Sequence, residues 1–299
     1  MESRNRNIWI AVVVILVLAC CCLAVAAAAA VSLGLADAFE GWRPPERLRD
    51  LSFDDFGDWD LEGSESAQIE ETFAVGSSPT LEVDNFAGSV TIRAGEEREI
   101  HVAATKQALR SSALDRIEVE INERGGRLSI KTRKDHSLNS GHVQLEITVP
   151  ADTTVILVSG AGDLNLAGLD GPVDASTGAG DVDIEDATGE IEVDTGAGDI
   201  RVRGSTNQVR LGTGVGDIDY DGDPSGSCRF NTGAGDIRLA LPGSLSAEVD
   251  LESGMGTVEV GFDVDGHTSR RQVRGSIGWG EEASIHADTG LGDIRLVQR

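Results

Sequence analysis

Thr177-Gly-Ala-Gly-Asp-Val-Asp-Ile-Glu-Asp-Ala-Thr-Gly-Glu-Ile-Glu-Val-Asp-Thr195-Gly-Ala-Gly-Asp199 holds one complete repeat and the start of the next. The same phrase stands at Ser159-Gly-Ala-Gly-Asp163, Thr213-Gly-Val-Gly-Asp217, Thr232-Gly-Ala-Gly-Asp236, Ser253-Gly-Met-Gly-Thr257 and Thr289-Gly-Leu-Gly-Asp293. From Ser159 onward the intervals are 18, 18, 18, 19, 21 and 36 residues, the last one about twice the period. A fixed period near 20 is the signature of a repeat architecture.

With the Ser or Thr counted as zero, positions −4 (Val155, Val173, Ile191, Val209, Cys228, Val249, Ile285) and −2 (Leu157, Ala175, Val193, Leu211, Phe230, Leu251, Ala287) are apolar. So are +5 (Leu164, Val182, Ile200, Ile218, Ile237, Val258, Ile294) and +7 (Leu166, Ile184, Val202, Tyr220, Leu239, Val260, Leu296). Apolar residues two apart with polar ones between are half-buried strands. Each unit therefore reads strand, Gly-rich turn, strand, second turn. Two degenerate copies extend the pattern backward: Leu81, Val83, Asn85, Val90 and Ile92, then Val119, Ile121, Glu123, Leu128 and Ile130.

Stacked coils and a flat meander differ in which residues become neighbours. Position +6 reads Asp183, Arg201, Asp219, Arg238, Glu259, and +8 begins Glu185, Arg203, Asp221. Alternating sign is favourable only when residues one period apart lie side by side, because opposite charges on adjacent strands attract and like charges repel. The expectation is an all-β fold, a two-sheet parallel β-solenoid with coils of 18 residues over 69–299. One coil buries too little to fold alone, so the array must be capped; the segment near 70–150 and the stretch after Gly261 are the expected caps.

The paired glycines permit positive φ and close approach of coils, and an Asp after them can accept hydrogen bonds from turn amides. A second reading makes Asp181, Asp199, Asp217 and Asp236 calcium ligands, since the phrase is like the Gly-Gly-x-Gly-x-Asp of calcium-binding β-rolls. Here no residue separates the second Gly from Asp, and only one turn per coil would serve an ion that takes six to eight oxygens. Calcium is therefore the lesser reading.

From Ile8 to Leu35 the chain is uncharged and almost wholly apolar, longer than a bilayer core requires and longer than the h-region of a signal peptide. Arg4 and Arg6 precede it; Asp37 and Glu40 follow. Residues 1–35 are expected to be a short cytoplasmic tail and a single transmembrane helix, with the remainder extracytoplasmic by the positive-inside rule. Cys20, Cys21 and Cys22 fall inside this span as packing residues, and Cys228 occupies the inward −4 column. Residues 36–68 form an acidic stalk with Pro44-Pro45. Its aromatics, among them Trp42 and the Phe53-Asp-Asp-Phe56-Gly-Asp-Trp59 cluster, are a membrane-interface residue and a candidate docking motif, or stray aromatics in a linker.

The formal net charge is −26. That opposes binding to nucleic acid or anionic lipid, and Lys131 to Lys134 is too small a cluster to reverse it. The five histidines (101, 136, 142, 267, 286) lack metal-ligand spacing; His136, His142 and Asp135 are the best grouping. No nucleophile motif, phosphate loop or dinucleotide fingerprint is present, so neither catalysis nor a cofactor is expected. Asp174, Glu192 and Asp250 are the carboxylates to consider for a carbohydrate-active β-helix, against the plainer reading that Arg210 and Arg229 pair with them.

On the Thr-Gly-Ala-Gly-Asp-Ile pattern, ending in Thr289-Gly-Leu-Gly-Asp-Ile-Arg-Leu296, the chain resembles the bacterial putative adhesin family of β-strand-repeat proteins, a domain of unknown function. The resemblance covers roughly Leu81 to Leu296. It implies a secreted or membrane-tethered envelope protein and brings no catalytic residues. The expected function is adhesion or envelope interaction at the cell surface, with an unnamed surface ligand as partner. The alternatives are a calcium-stabilised binding module and a carbohydrate-active enzyme.

Overall fold

A computed structural model of the chain describes residues 65–95, 98–135, 140–205, 207–279 and 283–299. The anchor expected over 1–35 lies outside them, as does the stalk except where the first strand begins, at Glu65. No helix among the described residues is long and apolar enough to cross a membrane.

The amino-terminal part comprises β1 (Glu65–Ala74), β2 (Thr80–Asn85), β3 (Val90–Gly95), β4 (Glu99–Ala108), a single helical turn α1 (Ser111–Leu114), β5 (Ile117–Arg124), β6 (Arg127–Lys134) and β7 (His142–Pro150). Regular coils follow as strand pairs: β8 (Thr154–Ser159) with β9 (Leu164–Ala167), β10 (Val173–Thr177) with β11 (Val182–Glu185), and β12 (Ile191–Ala197) with β13 (Ile200–Ser205). They continue with β14 (Val209–Val215) and β15 (Ile218–Gly222), β16 (Gly226–Ala234) and β17 (Ile237–Leu241), then β18 (Ala247–Met255) and β19 (Val258–Val260). The chain ends with β20 (Val264–Thr268), β21 (Gln272–Ile277), β22 (Ala283–Leu291) and β23 (Ile294–Gln298).

These strands form two mostly parallel sheets, so the stack is a solenoid and not a meander. In one sheet Val173 lies opposite Ile191 and Ile191 opposite Val209; in the other Val182 lies opposite Ile200 and Ile200 opposite Ile218. The inward columns read from the sequence are the core: Val155, Ile191, Leu211, Ile200 and Leu239 are all fully buried. Cys228 is buried among them as a free thiol, and Tyr220 packs its ring against Phe230 at 5.2 Å between centroids.

Sequence order and stacking order part at both ends. The second sheet runs β20-β21-β18-β22-β16 and the first ends β17-β23-β19, so the last coil of the chain (β22, β23) is inserted between its two predecessors. At the other end β2 and β3 sit between β6–β7 and β8–β9. The alternation of charge expected from Arg238 to Glu259 is corrected accordingly: Arg238 stands opposite Arg295, and Arg295 opposite Glu259. The double interval before Thr289 is the β20–β21 excursion, which lays β21 antiparallel along β18.

The second degenerate copy is also corrected. Val119 and Ile121 lie on β5, which pairs antiparallel with β6 as a capping hairpin. The true coil partners of Leu128 and Ile130 are Leu145 and Ile147, since Leu128 matches Leu81 and Leu145 matches Val90. The sequence between β6 and β7, residues 135–141, contains no Gly-x-Gly phrase, which hid the coil. Antiparallel strands thus cover the parallel stack at β6, β7 and β18, while β19, three residues long, ends the first sheet as a short edge strand.

Candidate functional site

The Gly-rich turns stack into one edge of the solenoid, and the aspartates and threonines of the phrase bond to the neighbouring coil. The amide of Asp199 donates to Asp181 Oδ1 at 2.8 Å, that of Asp217 to Asp199 Oδ1 at 2.9 Å, and that of Asp236 to Asp217 Oδ1 at 2.7 Å. The chain of bonds continues from Asp293 N to Asp236 Oδ1 at 2.8 Å, then from Thr257 N and Oγ1 to Asp293 Oδ1 at 2.8 and 3.0 Å. Thr257 belongs to the outermost regular coil in space. No further phrase follows that would need an acceptor there, so the loss of Asp at this position is a consequence of stacking order.

A second ladder runs beside the first. Thr195 Oγ1 donates to Gly180 O at 3.2 Å, Thr213 to Gly198 O at 3.0 Å and Thr289 to Gly235 O at 2.9 Å. The second glycine of each phrase is required by contact as well as by conformation. At Gly198, with φ of 145°, a Cβ would meet Gly180 O at 2.1 Å.

Asp181, Asp199, Asp217 and Asp236, the candidate calcium ligands, therefore each spend one carboxylate oxygen on a neighbouring amide. Arginines approach the other oxygen at several rungs: Arg201 lies 2.9 Å from Asp199 and 3.7 Å from Asp181, and Arg295 lies 3.5 Å from Asp236. No group of three metal-ligating side chains is found among the described residues. Of the histidine grouping, His136 lies outside the described residues and His142 sits on β7 opposite Gln107.

The outer face of the second sheet carries the carboxylates singled out for carbohydrate chemistry. Reading across the strands, the row is Asp174, Glu192, Arg210, Arg229, His286, Asp250, Arg274. Glu192 pairs with Arg210 at 3.0 Å, as expected. Arg229 does not pair with Asp250, because His286 intervenes; Arg274 of β21 takes Asp250 at 2.7 Å. Position −3 of each phrase marks this row in the sequence, but its spatial order and the contribution of Arg274 do not follow from the repeat.

Asp194, two residues along β12 from Glu192, is raised from its ordinary value by partial desolvation, although the residue is exposed, with the Glu192 charge adding to it. Burial likewise raises the Cys228 thiol and the Tyr220 phenol, which suits packing residues better than reactive ones. Lys131 and Arg133 of the basic cluster are engaged by Asp84 and Glu120, and Lys134 lies over the Phe86 ring at 5.5 Å.

Residues 135–297, more than half of the 299, match the sequence profile of the Toastrack DUF4097 family. No functionally curated protein matches the chain. It is similar to the crystal structure of a putative cell adhesion protein from Clostridium sporogenes, with 16% identity over 78% of this chain and 100% of that one, TM-score 0.40. It is also similar to a putative adhesin from Bacteroides fragilis, with 16% identity over 77% of this chain and 97% of the other, TM-score 0.47.

Proposed function

We propose, from the premise that this chain belongs to the Toastrack DUF4097 family, that it is a membrane-anchored surface protein displaying its solenoid outside the cytoplasm for adhesion or envelope interaction. The observation that carries the reading is a stack of parallel coils with antiparallel strands laid along β6, β7 and β18 and with its outer faces left to polar side chains. Such a body suits recognition by surface. Its outward carboxylates are held by arginines across neighbouring strands, as at Glu192–Arg210, Asp219–Arg238 and Asp250–Arg274, which supports a structural role for them over a catalytic one.

The apolar run from Ile8 to Leu35 supports the anchor, and the acidic stretch that follows supports a stalk holding the stack off the surface. Intact cells treated with external protease should lose the repeats while the first 35 residues stay in the membrane fraction. A deletion strain should attach less well, and the full chain should restore attachment where a chain lacking residues 8–35 does not. Repeats protected in intact cells and digested only after lysis would sink the reading.

A further inference from the structure

At its carboxyl-terminal end the outer face of the second sheet is hollowed into a groove of about 430 Å³, lined by Ser227, Arg229, Glu248, Ser284 and His286 among others. That lies within the roughly 300–1,000 Å³ of small-ligand sites. We propose that this groove binds a saccharide residue bearing one anionic group. The proposal deepens the surface-display reading and rests on it for access to such a ligand.

Charge is the first ground. On adjacent strands Arg210 and Arg229 stand side by side in one row, with His286 next beyond them and 3.9 Å from Asp250, in a chain of net charge −26. Like charges directly opposite on adjacent strands are unfavourable. Arg210 is relieved by Glu192 and Arg274 by Asp250, whereas Arg229 is exposed and has no carboxylate partner among the described residues. A guanidinium offers a planar fork of donors that fits a carboxylate or sulfate by two hydrogen bonds.

The rest of the lining is what a sugar needs. Ser227 and Ser284 lie opposite each other one row from Arg229 and His286, and Glu248 lies opposite Ser284. Hydroxyls both donate and accept, and Glu248 accepts from a sugar hydroxyl. Trp279 does not line the groove; its amide donates to Ser246 Oγ, two residues before Glu248, and the residue is 92% exposed. An indole left in water can cover the C–H face of a pyranose ring while its N–H stays solvated. An acidic peptide offers carboxylates without the ring hydroxyls that Ser227, Ser284 and Glu248 can bond.

The test is calorimetric titration of the purified full chain in detergent with tetragalacturonate, its methyl ester, tetra-aspartate and inorganic sulfate. Tetragalacturonate should bind, with the ester, the peptide and sulfate each at least about tenfold weaker. Arg229→Gln and Trp279→Ala should each weaken tetragalacturonate by about tenfold or more with unchanged melting, while Arg238→Gln on the opposite sheet should leave it unaltered. No binding, equal binding of the ester, or full affinity in Arg229→Gln overturns the site. Tetra-aspartate or sulfate binding as tightly as the sugar overturns the saccharide. Display is read separately by protease on cells, so a failed titration with accessible repeats removes the ligand and leaves the surface role standing.

Discussion

Arg295 stands between Arg238 on one side and Glu259 on the other, although 36 residues separate it from Glu259 and the whole of the β18–β21 segment lies between it and Arg238 in the chain. The arrangement is tolerated because Arg238 is held by Asp219 at 2.9 Å, while Arg295 reaches Asp293 at 3.0 Å, Asp236 at 3.5 Å and Glu259 at 3.6 Å.

Charge reversal at two positions separates this order from a serial one. Arg201→Glu places three acids in succession with Asp183 and Asp219, and should cost about 1–2 kcal/mol at low salt, less with added salt. Arg238→Glu loses Asp219 but gains Arg295, and should cost less than half as much. Equal losses in urea denaturation would return Glu259 to the side of Arg238.

Removing residues 283–299 should not simply shorten the stack by one coil. Val249 and Leu251 of β18 pack beside Ile285 and Ala287, so the excision strips the preceding coil of its neighbour and bares the β16 edge. Hydrogen exchange should show β18 and β21 losing protection together with β16. Protection retained across β18 would mean that the cap folds independently of the inserted coil.

Gly198→Ala forces a Cβ to within 2.1 Å of the Gly180 carbonyl at a φ of 145°. Strain of this kind costs about 1–3 kcal/mol, and the separation of adjacent coils adds to it. The expected loss is at least about 3 kcal/mol, among the larger effects of single substitutions. Gly125→Ala, at φ of 61° and with nothing within 4 Å of a Cβ, should cost less, since it carries left-handed strain and no contact with another coil.

Asp199→Ala takes away the acceptor for the Asp217 amide and the partner of Arg201. A destabilisation of about 1 kcal/mol is expected, with Asp199→Asn recovering part of it through its amide oxygen. Calcium at millimolar concentration should leave the melting temperature of the unaltered protein unchanged, because the ladder oxygens are already bonded. A calcium-dependent rise abolished by Asp199→Ala would restore the metal reading.

Acid should act on two aspartates in opposite senses. Hydrogen bonds from the Thr257 amide and hydroxyl hold Asp293 below the ordinary 3.8, so its contribution is present above that value and is lost as pH falls through the lower folded pKa. Asp194 is raised, so the folded state favours its neutral form below 3.8 and loses that preference as pH rises through the folded pKa. Asp194→Asn should raise the melting temperature at neutral pH, with the gain vanishing below 3.8. Asp293→Asn should flatten the acid limb. A neutral-pH loss in Asp194→Asn would show that its carboxylate is stabilised and not burdened.

Strand, turn and inward face were legible at each repeat because they depend on neighbours in sequence: alternation of Ile191, Val193 and Thr195 sets a strand, and Gly-Ala-Gly-Asp sets the turn. Parallel stacking was legible too, through the sign pattern of Asp183, Arg201 and Asp219. The order of coils at the two ends was decided only in three dimensions. Val249, Ile285 and Cys228 present nearly the same apolar column, so the core does not choose between the coils; Thr257, which offers no carboxylate to a further turn amide, is a local mark of the outermost coil. The choice falls to the whole assembly: inserting β22 and β23 leaves an outer coil whose free edge β21 can cover in antiparallel register, and it sets Arg229 beside His286 in the groove.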